Sequence, residues 1–239
     1  MEKKTVLITG GTSGIGQAVA QRFFQQGCNV ALMGRNKRSD LIGNFIQGDV
    51  TKYEDCVGAV KQTIEQYGSL DVLVNSAGIY MEKAIEDMTV ADYTAIMDTN
   101  IKGTYFMTQQ AVEAMKKNGG GVIINISSDA GIHGNMLCSA YCASKGAVNL
   151  FTRAMALELG PYNIRINSVC PGDVLTPLTE KQLQQYPNRE QALQEMASVY
   201  PLGRIGTPDE IAGVVEFLAS DKAQFITGAV WTVDGGITA

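Results

Sequence analysis

Short apolar runs alternate along the chain with longer stretches in which apolar side chains return every third or fourth position. A run without polar alternation suits a strand buried on both faces, and the longer period suits a helix with one apolar side. Their repetition predicts a parallel sheet covered by helices on both faces. Seven strands are expected, over residues 5–9, 29–34, 44–47, 70–75, 121–127, 164–170 and 229–233. Helix starts are marked where a hydroxyl stands three residues before a carboxylate, at Thr51 with Glu54 and at Thr207 with Glu210, the latter reinforced by Pro208. Gly27, Gly68 and Gly160 are expected to stop helices. Residues 35–43 are too few for a crossover helix, so a loop or single turn should join the second and third strands.

The chain has 239 residues, 45% of them apolar, with no linker-like break in composition and no internal repeat, so one α/β domain over 1–239 is expected. A formal charge of -5 with scattered basic residues argues against nucleic acid as a partner, because phosphate affinity needs clustered cations. The start, Met1-Glu2-Lys3-Lys4-Thr5, meets only the apolar segment Val6 to Ile8 before a glycine turn. That is too brief for a signal or a membrane span, and the expected location is cytoplasmic. Cys28, Cys56, Cys138, Cys142 and Cys170 show no disulfide-framework spacing, which suits a reducing compartment. Cys138 and Cys142 lie four apart, but His133 is the one histidine and no CxxC pair accompanies it, so no metal site is expected.

The first strand runs into Thr9-Gly10-Gly11-Thr12-Ser13-Gly14-Ile15-Gly16 and then a helical stretch with Ala18, Val19, Ala20 and Phe23. Glycines let such a turn close, bring backbone near a pyrophosphate and let the helix pack on the strand, while the helix start offers free amides. Gly10, Thr12, Ser13, Gly14, Ile15 and Gly16 are therefore candidate cofactor-binding residues. The spacing is TGxxxGxG, and Asn75-Ser76-Ala77-Gly78 and Pro171-Gly172 follow the fourth and sixth strands. On these motifs, and on the YxxxK pair described below, the chain resembles the short-chain dehydrogenase/reductase family, with 3-oxoacyl-[acyl-carrier-protein] reductase-like character.

The resemblance implies a single-domain, doubly wound Rossmann fold and a nicotinamide cofactor. It places Asn75, Ala77, Gly78, Pro171 and Gly172 close to that cofactor, Asp49 and Val50 beside the adenine, and Val174 and Thr176 on the nicotinamide carboxamide. NAD enzymes usually offer a carboxylate to the ribose at the end of the second strand. Here that place reads Met33-Gly34-Arg35-Asn36-Lys37-Arg38, without an acid, and Arg35, Lys37 and Arg38 suit a 2′-phosphate. NADP(H) is favoured, and NAD(H) stays open through Asp40, which can fold back as a ribose acid.

Hydride transfer to a carbonyl needs a positioned acid, and the reverse needs a base. In Tyr141-Cys142-Ala143-Ser144-Lys145 the phenol and the ammonium lie four residues apart on one helix face, and a cation favours phenolate. Lowering a phenol from near 10 by three units takes about 4 kcal/mol, which Lys145 and the positive nicotinamide ring together are expected to supply. Ser127-Ser128 closes an apolar strand, so a hydroxyl emerges where ligands bind in open α/β sheets. The resemblance selects Ser128, thirteen residues before Tyr141, to stabilise the substrate oxygen. It also matches Asn100, in an expected long helix, to an asparagine that holds a water linking the lysine to a proton relay. The expected catalytic set is thus Asn100, Ser128, Tyr141 and Lys145, the last two also touching the cofactor.

Residues 173–205, where Pro177, Pro187 and Pro201 interrupt a Gln- and Glu-rich segment, read as a substrate lid. Asp129, His133, Met136, Leu137, Val174, Leu178 and Tyr200 are candidate pocket walls, with His133 expected to be structural. The partner is a small carbonyl or alcohol compound, free or carried on acyl carrier protein. The first expectation is a 3-oxoacyl thioester or related ketone reductase; the second is a polyol, sugar or hydroxysteroid dehydrogenase. A rival of another class is a nicotinamide-binding regulatory protein, which has no need of Ser128, Tyr141 and Lys145 together. The resemblance further implies a homotetramer built through helices near 100–117 and 139–160. Val148, Leu150, Phe151, Met155, Ala156 and Leu157 exceed one buried stripe there. Trp231 belongs to the core or to such an interface.

Overall fold

The computed structural model describes residues 3–239; Met1 and Glu2, which open the predicted domain, lie outside them. Seven strands form one sheet in the order β3-β2-β1-β4-β5-β6-β7. They are β1 Thr5–Thr9, β2 Asn29–Gly34, β3 Asn44–Gln47, β4 Val72–Asn75, β5 Gly121–Ile126, β6 Ile164–Pro171 and β7 Val230–Val233. Every neighbouring pair is parallel. The helices are α1 Gly14–Gln25, α2 Tyr53–Tyr67, α3 Val90–Met97, α4 Gly103–Lys117, α5 Ser139–Leu159, α6 Pro177–Leu183, α7 Arg189–Ser198 and α8 Pro208–Ala219.

The unbroken apolar runs have a simple cause. Along β1, Val6 and Ile8 face one core with Val19 and Phe23 of α1 and Ile211, Val215 and Leu218 of α8. Leu7 faces the other, with Val60 of α2, Met107 and Met115 of α4 and Leu159 of α5. Both faces of the strand are dry, so alternation of polar and apolar residues has no reason to appear. As expected, β2 and β3 are joined without a helix. The chain winds outward from β1 through β2 to β3, then returns to place β4 on the other side of β1. The connections after β1 and β4 therefore diverge, leaving a crevice at the carboxyl ends of the strands.

Several boundaries differ from the sequence expectation for local reasons. β4 starts at Val72 rather than residue 70, because the Asp71 carboxylate accepts the Thr5 amide at 2.7 Å. Thr51 does not cap α2: its hydroxyl donates to Asp49 Oδ1 at 2.9 Å, and the helix starts at Tyr53 without a side-chain cap. Gly27 and Gly68 adopt the left-handed conformation expected of helix stops, at φ 80 and 86°. Gly160 does not. There the chain tightens into the 3-10 turn Gly160–Tyr162, and Asn163 takes the left-handed position at φ 57°.

The α8 start is built as the sequence predicts. Thr207 Oγ1 accepts the Glu210 amide at 3.3 Å, and Glu210 Oε2 accepts the Thr207 amide at 2.8 Å. Arg204 first, and then the Thr207 amide, hold the Glu210 carboxyl down to about 2, so its contribution persists above the ordinary glutamate range and fades as pH falls toward 2. Farther along α8, Glu216 and the first-turn residue Asp209 grip Arg22 of α1, with distances of 2.8 and 2.7 Å.

Replacing Thr207 with Ala removes one side of this cap. The expected loss is about 1 kcal/mol, within the 0.5–2 kcal/mol typical of such caps. By calorimetry the melting temperature should fall by about 2–4 °C.

Candidate active site

The carboxyl ends of the central strands open into one cleft of about 680 Å3, a size suited to a small molecule. Of the predicted catalytic and cofactor-binding residues, all line it except Gly16, Asn75 and Asn100, which stand one layer behind, and Lys37 and Arg38, which lie outside it. At one end lies the glycine turn. Gly10 has φ +64°, and a Cβ on it would sit 2.9 Å from the Ala77 backbone, so the turns after β1 and β4 touch without side chains between them. A Cβ on Gly16 would approach the Gly10 carbonyl to 2.4 Å, which explains a glycine set back from the cleft wall. Asn75 likewise braces the sheet end, with Nδ2 donating to Asn125 Oδ1 at 2.9 Å and Thr108 Oγ1 at 3.1 Å.

Helix α1 starts at Gly14 without a side-chain cap from Ser13 and without an acid in its first turn. Its first amides and partial positive charge are therefore available to an anion. At the end of β2, Arg35 is exposed beside the same cleft and makes no ion pair among the described residues. Arg38 instead pairs with Asp40 at 3.1 Å, and Asp40 also accepts from Gln17; neither lines the cleft. Burial works to raise the Asp49 carboxyl, but the Thr51 amide and hydroxyl and the charge of Arg35 hold it below the ordinary aspartate range. Anion-seeking amides, a free guanidinium and an acceptor carboxylate fit a nicotinamide dinucleotide, with Arg35 toward any additional phosphate.

The other end is built on the junction of β5 and α5. Lys145 is 5% exposed, and its ammonium donates to the Ile126 carbonyl, the last of β5, at 2.9 Å. Ser127 turns its hydroxyl inward to the Lys145 carbonyl at 3.0 Å. Ser128 points the other way: its Oγ donates to Asp129 Oδ1 at 2.7 Å and accepts the Ala130 amide at 3.2 Å. The two serines are thereby separated by geometry, and Ser128 is the one beside Tyr141. Asn100 lies in the π-helical turn Asp98–Lys102 between α3 and α4, so the expected continuous helix is locally widened. Its side chain clasps both the amide and the carbonyl of Ile79, at 2.8 and 3.0 Å, and donates to Ser144 Oγ at 3.0 Å. It fixes the loop carrying Gly78 against α5.

Burial governs the charges. It lowers the Lys145 ammonium to about 8, a value that leaves it largely protonated at neutral pH. It also pushes the Tyr141 phenol well above its ordinary range; Ser128 opposes the shift, while Asp129, Cys138 and Asp173 reinforce it. The Lys145 nitrogen stands 5.7 Å from the centre of the Tyr141 ring. At that distance Lys145 does not by itself bring the phenol down, contrary to the simplest reading of a YxxxK pair. In the protein alone Tyr141 is a held acid.

Asp129, Met136, Val174, Leu178 and Tyr200 line the cleft as expected, whereas His133 and Leu137 do not. His133 rests its Nε2 on Asp129 Oδ2 at 3.3 Å. Residues 173–205, the segment expected to form a lid, contain α6 and α7, tied by the Arg189–Glu180 ion pair. The segment is anchored by Tyr200, whose hydroxyl accepts the Asp173 amide at 2.7 Å. Sequence reasoning missed Tyr80, whose ring meets Tyr141 edge-on with centroids 5.0 Å apart and whose hydroxyl contacts Cys138 Sγ at 3.3 Å. It also missed Asp173 as a wall. The position of Tyr80, two residues after Gly78, was the available signal. Among the described residues no group of three or more His, Cys, Asp or Glu could hold a metal ion, and no helix is long and apolar enough to cross a membrane.

Residues 10–238 match a protein-family model described as enoyl-(acyl carrier protein) reductase. The chain is 39% identical to a 3-oxoacyl-[acyl-carrier-protein] reductase of Thermotoga maritima, across 99% of this chain and 98% of the relative. It is 36% identical to an NADP-dependent (R)-specific alcohol dehydrogenase of Lentilactobacillus kefiri, across 100% and 98%. Among solved structures, the ligand-free aldohexose dehydrogenase of Thermoplasma acidophilum superposes with a TM-score of 0.95 at 36% identity, covering 99% of this chain and 94% of the other.

The buried ammonium gives a direct test that requires no substrate. In an NMR titration, a lysine signal absent from Lys145→Met should lose its proton near pH 8, well below the ordinary lysine value of about 10.4.

Proposed function

The chain belongs to the short-chain dehydrogenase/reductase family, and we propose that it uses NADP(H) to interconvert a ketone and its secondary alcohol, with Tyr141 carrying the proton. It is an oxidoreductase acting on C=O or CH–OH groups. The observation that carries the finer reading is the single cleft that runs from the uncapped α1 start and Arg35 to Ser128, Tyr141 and Lys145.

In the reducing direction the Ser128 hydroxyl turns its one proton from Asp129 to the carbonyl oxygen, which also takes a hydrogen bond from the Tyr141 phenol. A nicotinamide held by Val174 and Thr176 would provide the hydride for the carbonyl carbon. Negative charge grows on the oxygen as this happens, and oriented donors in a dry site stabilise it strongly. Tyr141 then gives up its proton, and the Lys145 ammonium offsets the phenolate left behind. The raised phenol of the free protein keeps its proton at neutral pH, so Tyr141 enters the reaction in its acid form. Asn100 acts at one remove, by holding Gly78 and Ser144 in register with Lys145.

NADP(H) rather than NAD(H) is supported by the free Arg35, by the pairing of Asp40 with Arg38, and by the NADP dependence of the Lentilactobacillus relative. The Thermotoga relative supports a 3-oxoacyl thioester or related ketone as substrate, and the Thermoplasma neighbour supports a sugar. Exposed Tyr105, Leu150 and Leu157 on α4 and α5, the last 83% exposed, support assembly into a homotetramer through these helices.

The deciding experiment is steady-state turnover of a ketone panel with both reduced cofactors, in the wild type and in Arg35→Ala. NADPH should be preferred by the wild type. Arg35→Ala should lose about tenfold or more in kcat/KM with NADPH, the size of one charge-assisted phosphate contact, while NADH is little affected. A wild type that prefers NADH contradicts the cofactor assignment.

A further inference from the structure

Helix α5 carries Tyr141 in a first turn that has no cap of its own. The residue before the helix, Cys138, makes no side-chain hydrogen bond to the turn, and no acid stands in it. Tyr141 is the third residue, so its amide is one of those that find no carbonyl within the helix. Ser144 Oγ donates to the Tyr141 carbonyl at 2.8 Å, which fixes the backbone and leaves the ring to whatever packs on it. Uncapped helix ends fray, whereas a ring that delivers a proton must be held in one orientation.

The packing comes from the loop after Gly78. Tyr80 sets its ring edge-on to Tyr141, with centroids 5.0 Å apart and planes at 78°. Its hydroxyl donates to Glu82 Oε2 at 3.1 Å and meets Cys138 Sγ at 3.3 Å. A phenol has one proton, so the thiol is the donor in the second contact. Cys138 and Tyr141 are three residues apart, neighbours along the turn, and Tyr80 spans both.

The loop is itself fixed on each side of Tyr80. Asn100 grips the amide and the carbonyl of Ile79. The Lys83 amide donates to the Leu137 carbonyl at 2.8 Å, and the Lys83 ammonium pairs with Asp92 at 2.6 Å. Leu137 has φ 60°, a left-handed conformation that a bulky side chain rarely adopts. Such strain persists only where the surroundings impose it. Here the Lys83 bond and that from the Cys138 amide to the Asn135 carbonyl, at 3.2 Å, do so. Residues 79–83 and the approach to α5 are thereby locked together. Tyr80 also lines the cleft, but a wall for substrate needs neither the grip on Cys138 nor a backbone held on both sides.

Building on the ketone-reductase reading above, we infer that Tyr80 is a positioning residue: its ring holds the Tyr141 phenol in the orientation that delivers the proton, and its hydroxyl moors that ring to the start of α5. Tyr80 gives no proton to the substrate. Burial first, and then Cys138 and Glu82, push its own phenol well above the ordinary range, and its proton is committed to Glu82.

The test compares kcat and KM for cyclohexanone and the larger acetophenone with NADPH, in the full-length wild type, Tyr80→Leu and Tyr80→Phe. In Tyr80→Leu, kcat should fall about two- to tenfold, the worth of one edge-on aromatic pair. The factor should be the same for both ketones, with KM little changed. Tyr80→Phe keeps the ring and should recover most of the loss. Without substrate or cofactor, NMR signals of the Tyr141 ring, identified by their absence from Tyr141→Phe, should move in Tyr80→Leu and largely hold in Tyr80→Phe, because an aromatic ring shields what its face covers. NADPH binding followed by fluorescence shows whether each variant is folded, and Tyr80→Met replaces Tyr80→Leu if the latter is not. An unchanged kcat in folded Tyr80→Leu, or a loss carried by KM or confined to one ketone, overturns the inference and leaves the Tyr141 chemistry standing. No turnover of any ketone with either cofactor overturns both.

Discussion

Lys145 keeps its ammonium in the interior on one backbone acceptor, the carbonyl that ends β5. Much around it follows from making that contact possible. Helix α5 must cross the end of the strand closely, and a Cβ on Gly131 would already press within 2.8 Å of the Lys145 carbonyl. Ser127 gives its hydroxyl to the same carbonyl, leaving Ser128 to face the cleft. Gly78 passes between Asn100 and the ammonium, where a Cβ would lie 3.4 Å from one and 3.5 Å from the other. Three segments far apart in sequence thus meet around one buried charge.

The cost of that arrangement is visible in the lysine itself. Moving its pKa from 10.5 to about 8 corresponds to about 3 kcal/mol of disfavour for the charged form. The same dryness keeps the Tyr141 proton on its oxygen. Burial acts on the two groups in opposite senses, destabilising the ammonium and the phenolate alike. A charge that forms on one is therefore most cheaply met by the charge on the other, which couples proton release to the lysine even at 5.7 Å from the ring. Asp129 and Asp173 add negative potential, holding the phenol neutral until negative charge develops on the substrate oxygen during the reaction.

Much of this was legible in the chain. The seven apolar runs became seven parallel strands because both sheet faces are covered, and the glycine spacing marked the crevice beside β1. The Thr207–Glu210 cap formed because no nearer acceptor competes for the threonine; at Thr51 the Asp49 carboxylate does compete, and the same signature failed. Gly16 and Asn75, grouped by their motifs with the cofactor site, pack and brace behind it. Asp173 escaped notice because it has no local pattern, and Tyr80, though marked by its place after Gly78, because its meeting with Tyr141 depends on how distant loops converge. The spacing of Tyr141 and Lys145 likewise says nothing about how deeply both are buried, which is what raises the phenol in the protein alone.

The central claim is that Tyr141 delivers the proton and that the buried Lys145 must be charged for it to do so. The pH dependence of kcat/KM for ketone reduction tests it most directly, because that parameter reports ionisations of the free enzyme. The lowered lysine loses its charge above its shifted value while the raised phenol keeps its proton. Activity should accordingly be level below pH 8, decline above about 8, and be lost in Tyr141→Phe with the fold intact. A profile that stays flat to pH 10, or ordinary activity in Tyr141→Phe, would contradict the account.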